Sequence, residues 1–179
     1  FDANGVTGNG TGYGDTGFNP STAGGQYRLD SAFIACYIGD EVPGDGVFVG
    51  TFTTNSSVML RKLNATDLQS RGPTSSQILY HIGFTTDWRG LLSLYRYSFY
   101  ICVALNGSEP LMITSSSTRL PDDTIPVLAG RWNWGVPSYL STANLRALVI
   151  GGGGVTPQDM DTLLLIINSF QFNLGRKAI

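Results

Sequence analysis

Two periodicities run along this chain. Over most of its length, short apolar runs recur every roughly 8–14 residues, separated by Gly, Asn, Asp, Ser and Pro, which is the rhythm of an all-β sandwich or barrel. The runs predict strands near Ser31–Ile38, Val47–Thr53, Val58–Lys62, Ile78–Phe84, Leu91–Tyr97, Phe99–Leu105, Leu111–Thr114, Val127–Trp132 and Leu145–Ile150. In the first of these, Phe33, Ala35 and Tyr37 point one way and Ile34, Cys36 and Ile38 the other. A strand apolar on both faces belongs in the middle of a sheet covered on both sides. Phe99, Ile101, Val103 and Leu105 share a face, and Asn106-Gly107 then marks a turn into Leu111–Thr114. Asp40–Gly46 and Ser115–Asp123 are polar connections, and residues 1–26 predict a glycine-rich loop region.

The second periodicity is helical and appears once, over Thr156–Leu174. Thr156 suits the N-cap, Pro157 the first helical position, and Asp159 the positively polarised first turn. Met160, Leu163, Leu164, Ile167, Phe170 and Leu174 form one apolar stripe. Gly175 supplies a left-handed stop, with Arg176 and Lys177 beside the negative end. The tract Gly151–Gly154 before it lacks the spacing of a phosphate loop and reads as a tight strand-to-helix turn.

Composition narrows the picture. At 179 residues the chain is expected to form a single domain (1–179), opening at Phe1 as a fragment or processed part of a larger protein. Net charge is −2, which gives no footprint for nucleic acid, and no apolar run reaches the length of a membrane span. Only 13% of residues are charged, about half the usual share, so Ser, Thr, Asn and Gly must cover the surface. That suits an extracellular protein or one packed into an assembly.

Candidate chemistry is sparse. The only glutamates are Glu41 and Glu109, and no strand carries the spaced carboxylate pair of a sandwich glycosidase, so no catalytic residue is assigned. His81 is the single histidine; set among apolar neighbours, it reads as structural. Asp40, Glu41 and Asp45, or Asp122 and Asp123, offer too few oxygens for calcium and read as solvated loop charges; neither metal nor cofactor is expected. Cys36 and Cys102 lie in apolar strands and are either buried free thiols or a disulfide between neighbouring strands. Asn9, Asn55, Asn64 and Asn106 stand in glycosylation sequons. Trp88, Trp132, Trp134 and Tyr139 are the candidates for a carbohydrate-stacking surface; each is also a candidate core residue.

Four stretches in order carry a resemblance. They are Asn9–Tyr27 (NGTGYGDTGFNPSTAGGQY), Thr86–Pro110 (TDWRGLLSLYRYS…ALNGSEP), Arg131–Gly135 (RWNWG) and Asn144–Arg176. Together they resemble the concanavalin A-like (laminin-G-like jelly-roll) modules of tailed-bacteriophage structural proteins. The resemblance implies an antiparallel jelly-roll sandwich with one C-terminal helix. It further implies a non-enzymatic virion surface module (tail fibre, tail tip or head decoration) whose partners are other virion proteins, copies of itself and host-surface glycan. A ligand-free decoration module and a polysaccharide depolymerase are the rival readings. Two departures matter. Trp88 replaces the serine of the family's S-R-G-L phrase, making it the first-ranked exposed contact ahead of Trp132, Trp134 and Tyr139. The family also carries a strand before the N-G-T phrase; either a larger protein was cut there or Phe1–Val6 partly replaces it.

Overall fold

The computed structural model describes residues 4–40, 44–52, 56–74, 79–97, 99–116, 119–132 and 135–176, without the side chains at 73, 74 and 132. The chain folds into two β-sheets packed face to face, with one helix on the outside of the first. In order along the chain the strands are β1 (Val6–Thr7), β2 (Gly14–Asp15), β3 (Ala32–Ile38), β4 (Gly46–Phe52), β5 (Ser57–Lys62) and β6 (Leu68–Thr74). They continue as β7 (Leu79–His81), β8 (Gly90–Tyr97), β9 (Tyr100–Leu105), β10 (Leu111–Thr114), β11 (Pro126–Val127), β12 (Arg131–Trp132) and β13 (Asn144–Gly152), and helix α1 (Pro157–Asn173) follows. The first sheet has the order β1-β13-β3-β8-β9-β10, the second β2-β11-β4-β5-β6-β7. Described pairings are antiparallel except a short parallel one between β12 and β4, Arg131 opposite Thr51.

The expected all-β sandwich with a terminal helix is the architecture found. Strand β3 is central, and its two faces go to two different cores. Ile34, Cys36 and Ile38 meet Phe48, Val58, Leu60 and Leu68 between the sheets. Ala35 and Tyr37 instead meet Leu163, Leu164 and Ile167 beneath the helix. The cysteines consequently lie on opposite faces of one sheet, Cys36 between the sheets and Cys102 beside Tyr95 and Met160, and both are free thiols.

Helix α1 starts as its sequence dictates. The Thr156 hydroxyl accepts from the Asp159 backbone N–H at 3.2 Å, and Asp159 Oδ2 accepts from the Thr156 backbone N–H at 2.8 Å, a complete capping box. Gly175 adopts φ 70° and ends it. The stripe is correct over Met160, Leu163, Leu164 and Ile167 but not beyond. Phe170 and Leu174 run past the sheet's edge, stay substantially exposed and line a cleft of about 480 Å³ with Val6, Val127 and Leu148.

Two phrases of the resemblance prove to be clasps. In the D-T-x-x-N phrase, the Thr16 hydroxyl donates to the Ile125 carbonyl at 2.7 Å, and Asn19 Nδ2 to the Asp122 carbonyl at 2.9 Å. Asp15 pairs with Arg131 at 2.7 Å, and Arg131 with buried Asp123 at 3.0 Å. In the second phrase, Asn106 Oδ1 accepts from Leu91 N–H and its Nδ2 donates to the Arg89 carbonyl, both at 2.8 Å. Gly90 sits there at φ 114°, and a Cβ on it would collide with the Asn106 amide, so only glycine fits. The Asn106 amide is thus engaged on both its oxygen and its nitrogen within the fold.

The strand pattern departs from expectation in four places. Leu68–Thr74 is a full strand that hydrophobic patterning does not show. The run Ile78–Phe84 shortens to Leu79–His81 among the described residues. Val127–Trp132 breaks into two pieces, because Leu128 adopts φ 61°. The glycine-rich region 1–26 contributes β1 and β2, whose Val6–Thr7 pairs with β13; residues 1–3 of the expected replacement strand lie outside the described residues.

Candidate functional site

Helix α1 covers the outside of the first sheet, whereas the outside of the second carries a patch of long polar and aromatic side chains. Register explains how they meet. Arg61 on β5 is opposite Gln69 on β6, and Gln69 is opposite Tyr80 on β7, so the three form one cross-strand row. Met59 is opposite Arg71 one step along. Their neighbours Leu60, Leu68 and Leu79 point the other way into the core. This alternation sends Arg61, Gln69, Arg71 and Tyr80 outward together. Val47, Phe52 and Met59 form a small buried cluster beneath them.

The segment after β12 folds back over the edge of this face. Gly130 and Ser138 exchange backbone hydrogen bonds of 2.7 and 2.8 Å, and Val47 N–H donates to the Tyr139 carbonyl at 2.9 Å. Tyr139 adopts φ 53° and is 49% exposed, with its ring 6.4 Å from that of Phe52. The Arg61 guanidinium lies 4.2 Å from the Tyr139 ring centre, and the Arg71 guanidinium 4.9 Å from that of Phe52. The result is two stacked cation–aromatic pairs side by side.

The two arginines differ electrostatically. Arg61 is held by Asp45 through two hydrogen bonds of 2.6 and 2.9 Å, which raise its pKa, and also donates to Gln69 Oε1 at 3.3 Å. Arg71 has no such partner among the described residues. Its Nε is buried with no hydrogen bond, and no ion pair reaches it. Burial pulls its pKa down, Tyr80 and Tyr139 push it up, and neighbouring Arg61 pulls it down. A guanidinium remains charged throughout, so among the described residues Arg71 is a cation without a carboxylate partner, beside an Arg61 that has Asp45. A planar fork of N–H donors on a half-buried guanidinium matches a carboxylate.

The aromatic candidates resolve differently. Trp88 is not an exposed contact: it is 2% exposed, its Nε1 donates to the Ala65 carbonyl at 2.8 Å, and its ring stands about 6 Å from those of Phe48 and Phe84. The larger side chain in the serine position fills the end of the inter-sheet core instead of reaching solvent. Tyr139 joins the face. The Trp132 backbone pairs with Phe52 at its margin, its side chain lies outside the described residues, and so does Trp134. Sequence reasoning missed Arg61, Gln69 and Arg71. A signal existed in the alternation of Leu68, Ser70 and Gly72 against Gln69 and Arg71, but one leucine does not announce a strand.

The remaining polar candidates are structural. His81 Nε2 lies 2.9 Å from the Ser70 hydroxyl inside the sandwich, and burial lowers its pKa, which favours the neutral ring. Asp45 faces Arg61, Asp40 faces Arg146 at 3.5 Å, Asp122 faces Arg119 at 2.8 Å, and Asp123 faces Arg131; Glu41 and Asn55 lie outside the described residues. No group of three or more metal-binding side chains occurs among the described residues.

No family model matches this chain, and no curated protein matches it. Solved structures do. The CBM40 of the Ruminococcus gnavus IT-sialidase, bound to α2,3-sialyllactose, superposes with a TM-score of 0.60 at 13% identity, over 89% of this chain and 97% of that one. A mutant Trypanosoma rangeli sialidase displaying trans-sialidase activity gives 0.52 at 14% identity, over 82% of this chain and 24% of that one. A botulinum neurotoxin type C structure, from work on its cell entry through two ganglioside molecules, gives 0.54 at 9% identity, over 78% and 37%. At these identities the likeness establishes the fold, a concanavalin-like β-sandwich, and nothing finer.

Proposed function

We propose that this chain is a non-enzymatic carbohydrate-binding module that takes acidic, carboxylate-bearing glycans on the Arg61–Arg71–Tyr139 face, and that it sits on a bacteriophage virion surface. The observation that carries the glycan reading is Arg71, a half-buried cation with no carboxylate partner among the described residues, electrostatically coupled to exposed Tyr80 and Tyr139. A sugar carboxylate would engage its fork while a pyranose ring rests on Tyr139, with Gln69 and Arg61 in reach of hydroxyls. The sandwich neighbours bound to sialyllactose or named for ganglioside interaction are consistent with such a ligand. Asp45, a carboxylate that reaches this face, has both oxygens engaged by Arg61, and no second carboxylate stands across from it among the described residues of this face. The virion reading rests on the four ordered phrases of the phage modules, and it makes other virion proteins the expected neighbours.

Glycan-array binding of the parent beside Arg71→Ala tests the site. The expected result is retention of sialylated or uronate-bearing glycans by the parent and their loss in the variant. Binding confined to neutral glycans, or unchanged in Arg71→Ala, contradicts it.

A further inference from the structure

The first sheet ends on a strand whose outer side is left open. Strand β13 pairs with β3 along one side, and on the other β1 pairs with Asn144 and Leu145. From Leu148 to Gly152 no described strand lies along that outer side. Register fixes which backbone groups are bare there. Gly153 N–H donates to the Ser31 carbonyl at 3.0 Å, one step beyond the Gly152–Ala32 pair. Hydrogen-bonded pairs alternate in an antiparallel ladder, so Gly151, Val149 and Ala147 turn their N–H and C=O groups toward β3. Leu148 and Ile150 turn theirs outward, a donor and an acceptor at each of two positions about 7 Å apart.

This edge opens into the cleft of about 480 Å³, which Ala147 and Leu148 share with Val127, Leu128, Phe170 and Leu174. Leu148 and Ile150 pack toward the inter-sheet core, Ala147 and Val149 beneath the helix. A segment laid beside β13 repeats that alternation, with one set of side chains toward Val127 and Leu128 and the other toward Phe170 and Leu174. An apolar small molecule would cover the walls and leave the edge groups without hydrogen bonds. An extended polypeptide satisfies both. Arg146 and Arg176 also line the cleft, beside one carboxylate, Asp15, which Arg131 engages, so acidic ends suit the incoming segment.

We infer that the outer edge of β13 is a strand-acceptor site. It takes an extended segment of another polypeptide, apolar at alternate positions and acidic at its ends, as an added strand of the first sheet. Backbone bonds to Leu148 and Ile150 supply affinity, and the cleft selects the side chains. Ala147–Ile150 carries neither charge nor proline, two of the devices that keep strand edges from pairing. The edge belongs to the first sheet and the Arg71 face to the second, so the inference stands whether or not the glycan reading does.

Amide hydrogen exchange and a peptide titration test it. In the free protein the Leu148 and Ile150 amides should exchange about tenfold or more faster than those of Ala147 and Val149. The probe acetyl-Glu-Val-Thr-Val-Thr-Val-Glu-amide should slow them and bind with a Kd on the order of 10–500 μM. Its valines favour one face, which fixes which alternate N–H groups meet β13. N-methylation of that set should weaken binding about tenfold or more, and methylation of the other set should leave it within about threefold. Ile150→Pro removes an outward donor and spares the bonds of Val149 and Gly151 to β3, so it should stay folded by thermal melt and lose the peptide. Should that variant unfold, the exchange rates and the methylated peptides still decide. Leu148 and Ile150 amides already protected in the free protein would overturn the inference. So would protection that grows with protein concentration, which would make the occupant a second copy. A probe that fails to bind at about 1 mM, methylated forms that bind alike, or a folded Ile150→Pro that binds like the parent would do the same.

Discussion

Replacing Trp88 by alanine separates the core reading of this residue from the contact reading more sharply than any other single change. The ring is fully enclosed by Phe48, Phe84 and the Lys62 stem, with the Lys62 ammonium 5.5 Å above it. Truncating a buried Trp costs about 3–5 kcal/mol through lost transfer energy and the cavity left behind. The Ala65 carbonyl loses its 2.8 Å donor as well, worth about a further 1 kcal/mol. A total of about 4–6 kcal/mol in a chain of this size corresponds to a fall of roughly 8–24 °C in Tm, at about 2–4 °C per kcal/mol. Thermal unfolding followed by near-UV circular dichroism reads the shift directly, because the melt and the aromatic signal report on the same packing. Glycan binding measured well below the lowered Tm should be close to the parent's. A melt within about 1 °C of the parent, or binding lost while the melt is kept, would refute the placement of this ring in the core.

Other outcomes follow from the same contacts. Thr156→Ala removes one half of the capping box and should cost about 1 kcal/mol by denaturant titration. Leu164→Ala, only partly buried beneath the helix, should fall at or below the low end of the roughly 2–5 kcal/mol range for core leucines. Cys36 and Cys102 should be inert to a thiol reagent in the folded protein and both react after denaturation, since burial pushes their pKa values up to about 12 and about 11. His81 has its pKa lowered by burial, so the unfolded chain takes up a proton first as pH falls. Stability should therefore be full above about pH 6.5 and decline below it, and His81→Gln should flatten that decline.

The legible parts of this fold are those where local sequence and tertiary burial agree. Helix α1 announces itself because Thr156, Pro157, Asp159 and Gly175 each satisfy a backbone need at a fixed position, whatever the helix packs against. Strand β3 is legible because both its faces are buried, which leaves a continuous apolar run. Strand β6 is not. Its sequence LQSRGPT holds one large apolar residue, since Ser70 faces His81 and Gly72 makes room for Ile101, while Gln69 and Arg71 face outward. The site is hidden with it, because Arg61, Gln69, Arg71 and Tyr80 are joined by cross-strand register and not by spacing along the chain. Trp88 misleads for a related reason: its sequence neighbours mark a strand's start, but only the packing of Phe48 and Phe84 around it makes that end of the sandwich closed. Of the aromatic candidates, Tyr139 stands on the face because its backbone is tied to Val47, a contact 92 positions away that no local pattern records.

The most direct measurement is on the Arg71 side chain itself. In a ¹H–¹⁵N spectrum, its Nε–Hε resonance can be assigned by its loss in Arg71→Lys and followed while sialyllactose or neutral lactose is added. The Nε–H resonance should shift saturably with the sialylated sugar and stay in place with lactose, as the outer guanidinium nitrogens beside it take up the sugar carboxylate. An Arg71 resonance that ignores the acidic sugar while signals elsewhere on the protein respond would contradict the account.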